Sequence, residues 1–327
     1  MLRRPRSLWE RPCTPMPGLK VKEGKGMEYK APTEEYTGVV REVTIGKGRK
    51  SLKIGGENIL PFHFFDKGSN PNPVKFALEV LDMEPQDWPE HLIQPFKNVI
   101  ADPVKWAKKC EELGADAVFL RLVSTDPAVK DSSADEAAAL AKRIAEAIDI
   151  PLIIYGSGDD KKDAEVLPKV AEACDGMNLL IGPVQKENYE VVGKALLDHG
   201  HNASALSPLD INLLKELNVK LCKFFPAEKI VIDPEAAALG YGMEYSFSLM
   251  ERVKQIGIIT KDNMTMMPLI ADLGGECWKT KQAKEDKEQG LLWEGITALS
   301  FLLAGANIIV FRHPETSSLM KKITEVK

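Results

Sequence analysis

From residue 58 onward the chain alternates short apolar runs with amphipathic segments of helical period, and this alternation constrains the fold more than any other feature. The runs are ILPF at Ile59, AVFLRL at Ala117, PLIIY at Pro151, NLLI at Asn178, ASAL at Ala203, KIVI at Lys229, PLIA at Pro268 and NIIVF at Asn307, eight in all. They lack the polar alternation of a half-solvated strand, so each must be covered on both faces, as parallel strands flanked by helices are. The segments between them, such as DPVKWAKKCEELGA, DEAAALAKRIAEAI and LLWEGITALSFLLAGA, place apolar residues mostly at steps of three and four, the pattern of a helix with one buried face. Many open on Asp, Ser or Asn and several close on Gly, as at Gly114, Gly200, Gly257 and Gly305, which is cap chemistry. Eight such units predict a closed (β/α)8 TIM barrel, whereas a doubly wound sheet has about six strands and a G-x-G-x-x-G turn after the first.

Ahead of the barrel, VVREVTI (39–45) and SLKI (51–54) flank the Gly-containing turn GKGRK, which predicts a β-hairpin. No helix follows Gly46 and Gly48, so they read as turn residues rather than a phosphate cradle. The expected organisation is a disordered or extended arm over 1–36, the hairpin over 37–56 and the barrel over 57–327. The connection 66–101 carries Pro71, Pro73, Pro85, Pro89 and Pro95 around Trp88. A loop of that length reads as a rigid surface patch or as packing over the barrel wall.

Charge narrows the function classes. Lys plus Arg number 43 against 48 Asp plus Glu, a net charge of −5, so no chain-wide cationic field draws nucleic acid or anionic lipid. No apolar run approaches the roughly 18 residues of a membrane span. The Arg- and Pro-rich start lacks the apolar stretch of a secretory signal. The five cysteines lie dozens of residues apart with no CxxC pair, which removes support for a zinc ribbon, a self-contained cluster or a disulfide framework and fits a reducing cytoplasm.

In a barrel the loops after the strands form the ligand-binding face. Read this way, the strand ends offer His63 and Asp66; Arg121, Ser124 and Asp126; Tyr155, Ser157 and Asp159; Gln185; Ser207 and Asp210; Asp233; Asp272 and Glu276; Arg312 and His313. The ring is polar but mixed, without HExxH spacing, G-x-S-x-G elbow or P-loop, so neither a metal centre nor a covalent hydrolase is expected. His199 and His201 read as a helix cap and a strand start. GSGDDKKD (156–163) is either an anion-accepting βα turn or a tight turn whose acids suit the helix dipole. Asp233-Pro234 leads into a Gly-broken loop with Tyr241, Glu244 and Tyr245, suited to a broad, amide-bearing or planar ligand, though Asp-Pro is also an N-cap pattern. Arg312 and His313 read as donors at the mouth or as caps of loop carbonyls.

The strings DPVKWAKKC, FLRLVSTDP, GSGDDKKDAEVL, HNASALSPLDINLLKELN, IDPEAAALGYGMEYS, GGECWKTK, GLLWEGITA and FRHPE occur in this order. Together they make the chain, from about Thr37 to its end, resemble the small subunit of the corrinoid iron–sulfur protein, also called the delta subunit of the acetyl-CoA decarbonylase/synthase complex. The resemblance implies a TIM-barrel subunit in a heterodimer with a larger subunit that carries the [4Fe–4S] cluster and a corrinoid-binding domain. It implies a corrinoid (cobamide) shared between the two at the barrel mouth. That cobalt cofactor shuttles a methyl group from methyltetrahydrofolate, delivered by a separate methyltransferase, to acetyl-CoA synthase in the reductive acetyl-CoA (Wood–Ljungdahl) pathway of carbon fixation.

On that reading this chain is not catalytic alone and holds no metal. From barrel position, the expected corrinoid contacts are Ser157, Ser207, Asn212, Asp233, Tyr241, Tyr245, Arg312 and His313, with Leu206, Leu239 and Met243 keeping water from the cobalt. Two alternatives stand beside it. One is a pterin-type methyltransferase barrel that binds methyltetrahydrofolate itself, through acids and amides such as Asp66, Asp159 and Asn212. The other is a purely structural docking subunit.

Overall fold

The structure, a computed structural model, describes residues 32–62 and 66–325. His63, Cys13 and positions 1–31 of the expected arm lie outside the described residues.

An antiparallel hairpin comes first, β1 (Val43–Lys47) and β2 (Lys50–Ile54). Eight parallel strands follow: β3 (Lys75–Leu81), β4 (Ala117–Arg121), β5 (Leu152–Tyr155), β6 (Leu180–Val184), β7 (Asn202–Leu206), β8 (Ile230–Asp233), β9 (Ile270–Asp272) and β10 (Ile308–Phe311). They neighbour one another in the order β8-β7-β6-β5-β4-β3-β10-β9, and a bridge between Ile232 and Leu269 joins the last pair of edges, closing the barrel.

The helices are α1 (Glu90–Ile93), α2 (Pro103–Glu112), α3 (Ala134–Ala147), α4 (Asp160–Ala173), α5 (Tyr189–Asp198), α6 (Ile211–Leu221), α7 (Met243–Thr260), α8 (Gly274–Lys279), α9 (Lys281–Glu285), α10 (Lys287–Leu303) and α11 (Pro314–Glu325). Their starts follow from side-chain chemistry. Asp102 accepts from the Val104 and Lys105 amides with Pro103 at the first helical position, and Ser133 with Glu136 forms a capping box. Each satisfies amides that the first helical turn leaves without partners.

Seven of the eight apolar runs are barrel strands, and the first is not. The first strand is KFALEVL, inside the connection expected to be a loop. ILPF lies instead in a loop at the N-terminal end of the barrel, where Phe62 shares a cavity with Val74 and Asn307, the residues that precede β3 and β10. The physical reason is Glu79: an ionised side chain interrupts the run, yet it is fully buried because arginines neutralise it. Asp66, expected at the end of that strand, accepts hydrogen bonds from the Glu34 amide and the Tyr36 hydroxyl, both 2.9 Å.

The hairpin closes the N-terminal end. Val43, Ile45, Leu52 and Ile54 join Phe119, Ile153 and Val310 in one interior cluster. Asn178, just before β6, receives the Gly46 amide at 2.7 Å on its carbonyl and donates to the Thr44 carbonyl at 2.7 Å. With that end plugged, the opening into the barrel lies at the C-terminal ends of the strands. Trp88 is 7 % exposed and meets Trp106 edge to face at 5.5 Å, so the proline-flanked tryptophan packs over the barrel wall and is not a surface patch.

Candidate functional site

At the C-terminal ends of β3, β4, β9 and β10, two acids and two arginines neutralise one another. Glu79 on β3 accepts from Arg121 Nε at 2.7 Å and from Arg312 Nε, and Arg121 also pairs with Asp272 on β9. The two guanidiniums hold the Glu79 carboxyl down at about 2 despite its burial. Arg121 is held in turn by the faces of Phe119 and Tyr155, 5.1 and 5.9 Å from the ring centroids. Arg312 rests over Trp88 at 4.8 Å. The carboxylate of Glu294, from α10, accepts from the Arg312 amide at 2.7 Å and so fixes the end of β10 from which that guanidinium emerges. Burial pushes Glu294 up to about 7.

Asp233, at the end of β8, differs from the other acids. Its partners are the Tyr155 hydroxyl at 2.8 Å and the Glu235 amide at 2.9 Å, both neutral. Burial, with Asp272 nearby, raises it to about 7. Tyr155 also shares a hydrogen bond with the Ser204 hydroxyl. One carboxylate oxygen of Asp272, Oδ1, is buried with no hydrogen-bond partner.

Above these groups opens a cavity of about 440 Å³, whose walls include Arg121, Tyr155, Gln185, Asp233, Glu235 and Asp272. Leu209 lines this cavity, and Leu213, Tyr241 and Tyr245 stand on the loops and first helical turns that follow β7 and β8; the four are 43, 42, 59 and 64 % exposed.

The sequence-predicted residues divide by position. Asp233 forms part of the cavity wall and Tyr241 and Tyr245 stand on the β8 loop and the start of α7. Ser157 is turned to its own loop: its amide and hydroxyl donate to Asp163 Oδ1, and the Gly158 amide to Oδ2. The βα turn therefore spends its amides on an internal acid, so close that a Cβ at Gly156 would collide with that carboxylate. Ser207 is buried beside a neighbouring cavity that it shares with Leu206 and Leu213. Asn212 is exposed in the first turn of α6. Arg312 sits beneath the mouth, spent on Glu79 and Trp88.

His313 is fully buried, stacked on Trp278 at 5.7 Å and accepting from the Glu315 amide, with burial holding it down at about 4, so it packs the wall as a neutral ring. His201 is likewise a neutral buried ring: Nδ1 accepts from the Leu179 amide, which leaves Nε2 to donate to the Ala171 carbonyl. His199 caps the C-terminus of α5 and meets Asp175 at 2.9 Å.

Glu79 and Glu294 were missed from the sequence, although each is a lone charge inside an apolar stretch, the signature of an acid that must find a buried partner. Among the described residues no group of three or more His, Cys, Asp or Glu is arranged to hold a metal ion. No helix among them is long and apolar enough to cross a membrane.

Comparison with known proteins adds two findings. In fold, the chain resembles dihydropteroate synthases: that of Xanthomonas albilineans with 4-aminobenzoic acid has a TM-score of 0.57 at 14% identity, covering 80% of this chain and 96% of that one. The enzyme of Vibrio fischeri has a TM-score of 0.56 at 15% identity, with the same coverage. At such identities the likeness concerns the barrel alone. In sequence, the acetyl-CoA decarbonylase/synthase complex subunit delta of Methanocaldococcus jannaschii is 34% identical over 320 residues, 93% of this chain and 78% of the relative. That of Methanothermobacter thermautotrophicus is 35% identical over 309 residues, 91% and 78%. The family model described as CO dehydrogenase/acetyl-CoA synthase delta subunit matches residues 42–326, and the chain belongs to that family.

Proposed function

We propose that this chain is the small subunit of a heterodimeric corrinoid methyl carrier. In this reading its barrel mouth covers one face of a corrinoid held by the larger subunit, while a methyl group passes from methyltetrahydrofolate, through a methyltransferase, to acetyl-CoA synthase. The observation that carries this reading is the C-terminal end of the barrel: exposed Leu209, Leu213, Tyr241 and Tyr245 on the segments after β7 and β8, beside a cavity floor whose arginines are already paired.

A cavity of about 440 Å³ is too small to engulf a corrin with its amide arms, so the ring would lie across the opening. When bound, the corrinoid supplies the cobalt that carries the methyl group. This chain's residues do the rest. Tyr241, Tyr245, Leu209 and Leu213 exclude water at the rim, and Gln185, Glu235 and Glu276 offer hydrogen-bonding groups to primary amides. The [4Fe–4S] cluster belongs to the larger subunit in this reading. The barrel contributes rigidity, since paired charges on strand ends cannot swing toward a ligand without breaking buried ion pairs.

The test mixes the purified chain with the corrinoid-loaded larger subunit and follows the corrinoid absorption bands and the elution volume. A stable complex with shifted bands, weakened by Leu209→Asp together with Tyr245→Asp, is expected. A complex whose bands match those of the larger subunit alone contradicts the covering role and leaves the docking-only alternative.

A second reading has one observation in its favour. Asp233 and Asp272 line the same cavity as hydrogen-bond acceptors, and one dihydropteroate synthase of this fold is described in complex with 7,8-dihydropteroate. The acids and amides expected to hold a pterin are not gathered, however. Asp66 bonds the segment at Glu34–Tyr36, Asp159 caps α4 and Asn212 is exposed on α6. Binding of methyltetrahydrofolate to the isolated chain, measured by calorimetry, would favour this reading.

A further inference from the structure

Among the strand-end groups beneath the mouth, three acids, Glu79, Asp233 and Asp272, stand with two bases, Arg121 and Arg312. Arg121 and Arg312 are matched by Glu79 and Asp272 through direct ion pairs, whereas Asp233 has no cationic partner. The groups packed around Asp233 come from every neighbouring strand: the Tyr155 hydroxyl on β5, Ser204 on β7, the Glu235 amide after β8, Asp272 on β9 and, beyond it, Arg121 on β4. Asp233 itself is 2 % exposed, so any change in its charge is felt in a poorly screened environment.

We propose that Asp233 balances the charge of the ring lying over the mouth: its carboxyl is ionised beneath a ring of net positive charge and protonated beneath a neutral one. This rests on the corrinoid reading above. A corrin ring bearing cobalt(II) is cationic and its one-electron reduced form is neutral. Reduction of a bound ring would take one electron from an external donor, of the reduced iron–sulfur class, and Asp233 would take up one proton from solvent hydronium, whose O–H bond breaks as the carboxyl O–H bond forms. A position near neutrality suits this exchange, and burial beside Asp272 places the carboxyl at about 7.

The experiment is a spectroelectrochemical titration of the cobalt couple in the reconstituted heterodimer at several pH values between 6 and 8, for the wild type and Asp233→Asn. In the wild type the midpoint potential falls as pH rises, because proton loss makes a negative charge that favours the cationic ring. The variant shows no such slope, and its potential lies above the wild type at pH 8 and converges with it at pH 6. A wild-type potential independent of pH, or an equal slope in both proteins, overturns the proposal.

The larger subunit alone serves as a control. If adding this chain changes neither spectrum nor potential, the covering role itself fails. Should the variant not assemble, the Asp233 carboxyl is followed by carbon-13 NMR in the free wild-type chain. A midpoint near neutrality supports the proposal, and a carboxyl that does not titrate between pH 5 and 9 overturns it.

Discussion

The guanidinium of Arg312 lies 4.8 Å over the ring of Trp88, so the last barrel strand is locked to a residue that follows the first. The tryptophan is held by Trp106 and the arginine by Glu79, and this contact joins the aromatic packing outside the barrel to the charge network inside it. Replacing Trp88 by Ala removes a buried aromatic side chain and is expected to cost about 3–5 kcal/mol, with Trp88→Phe costing less. Urea unfolding of the free chain measures both.

Glu79→Gln leaves two buried guanidiniums short of a counter-charge. The expected loss is about 3–5 kcal/mol, the scale of a broken buried ion pair. Replacing an exposed acid such as Glu288 provides a comparison that should change stability by less than about 0.5 kcal/mol.

The acids impose opposite pH dependences. Glu79 is held at about 2 in the folded chain, below its unfolded value of about 4.3, so its contribution is complete above that unfolded value and disappears as pH falls toward 2. Asp233 and Glu294 are raised to about 7, so the folded state binds more protons than the unfolded chain between about 4 and 7. Their contribution is full at the acid end and lost as pH rises through neutrality. Asp233→Asn should flatten this upper part of the stability profile, measured by denaturant unfolding at stepped pH.

Tyr155→Phe removes the hydroxyl that bonds Asp233 and Ser204. Since that hydroxyl stabilises the ionised carboxylate, its loss should raise the Asp233 midpoint further, alongside a stability cost of about 1 kcal/mol. Carbon-13 NMR of the carboxyl group reports the first effect and urea unfolding the second.

How much of this was legible in the sequence depended on whether polarity and burial agreed. Seven strands announced themselves because their residues are apolar on both faces, and the helices because Asp102, Ser133 and Asp210 cap their starts. The first strand did not, since Glu79 breaks its run and only the arginines of β4 and β10, distant in sequence, make its burial tolerable. The site shows the same division. The sequence places Asp233 at the end of β8 and Tyr241 and Tyr245 after it, and there the structure has them, Asp233 in the cavity wall and both tyrosines exposed. Ser157 and His313 occupy equally suggestive positions, but Asp163 and Trp278 engage them, contacts that no local pattern reveals.

The covering of the mouth is tested most directly by hydrogen–deuterium exchange on the chain, alone and in complex with the corrinoid-loaded larger subunit. The account predicts slowed exchange at the amides of 206–213 and 235–245, the loops that bear the exposed leucines and tyrosines. Protection confined to the outer helices, with these loops exchanging as fast as in the free chain, would contradict it.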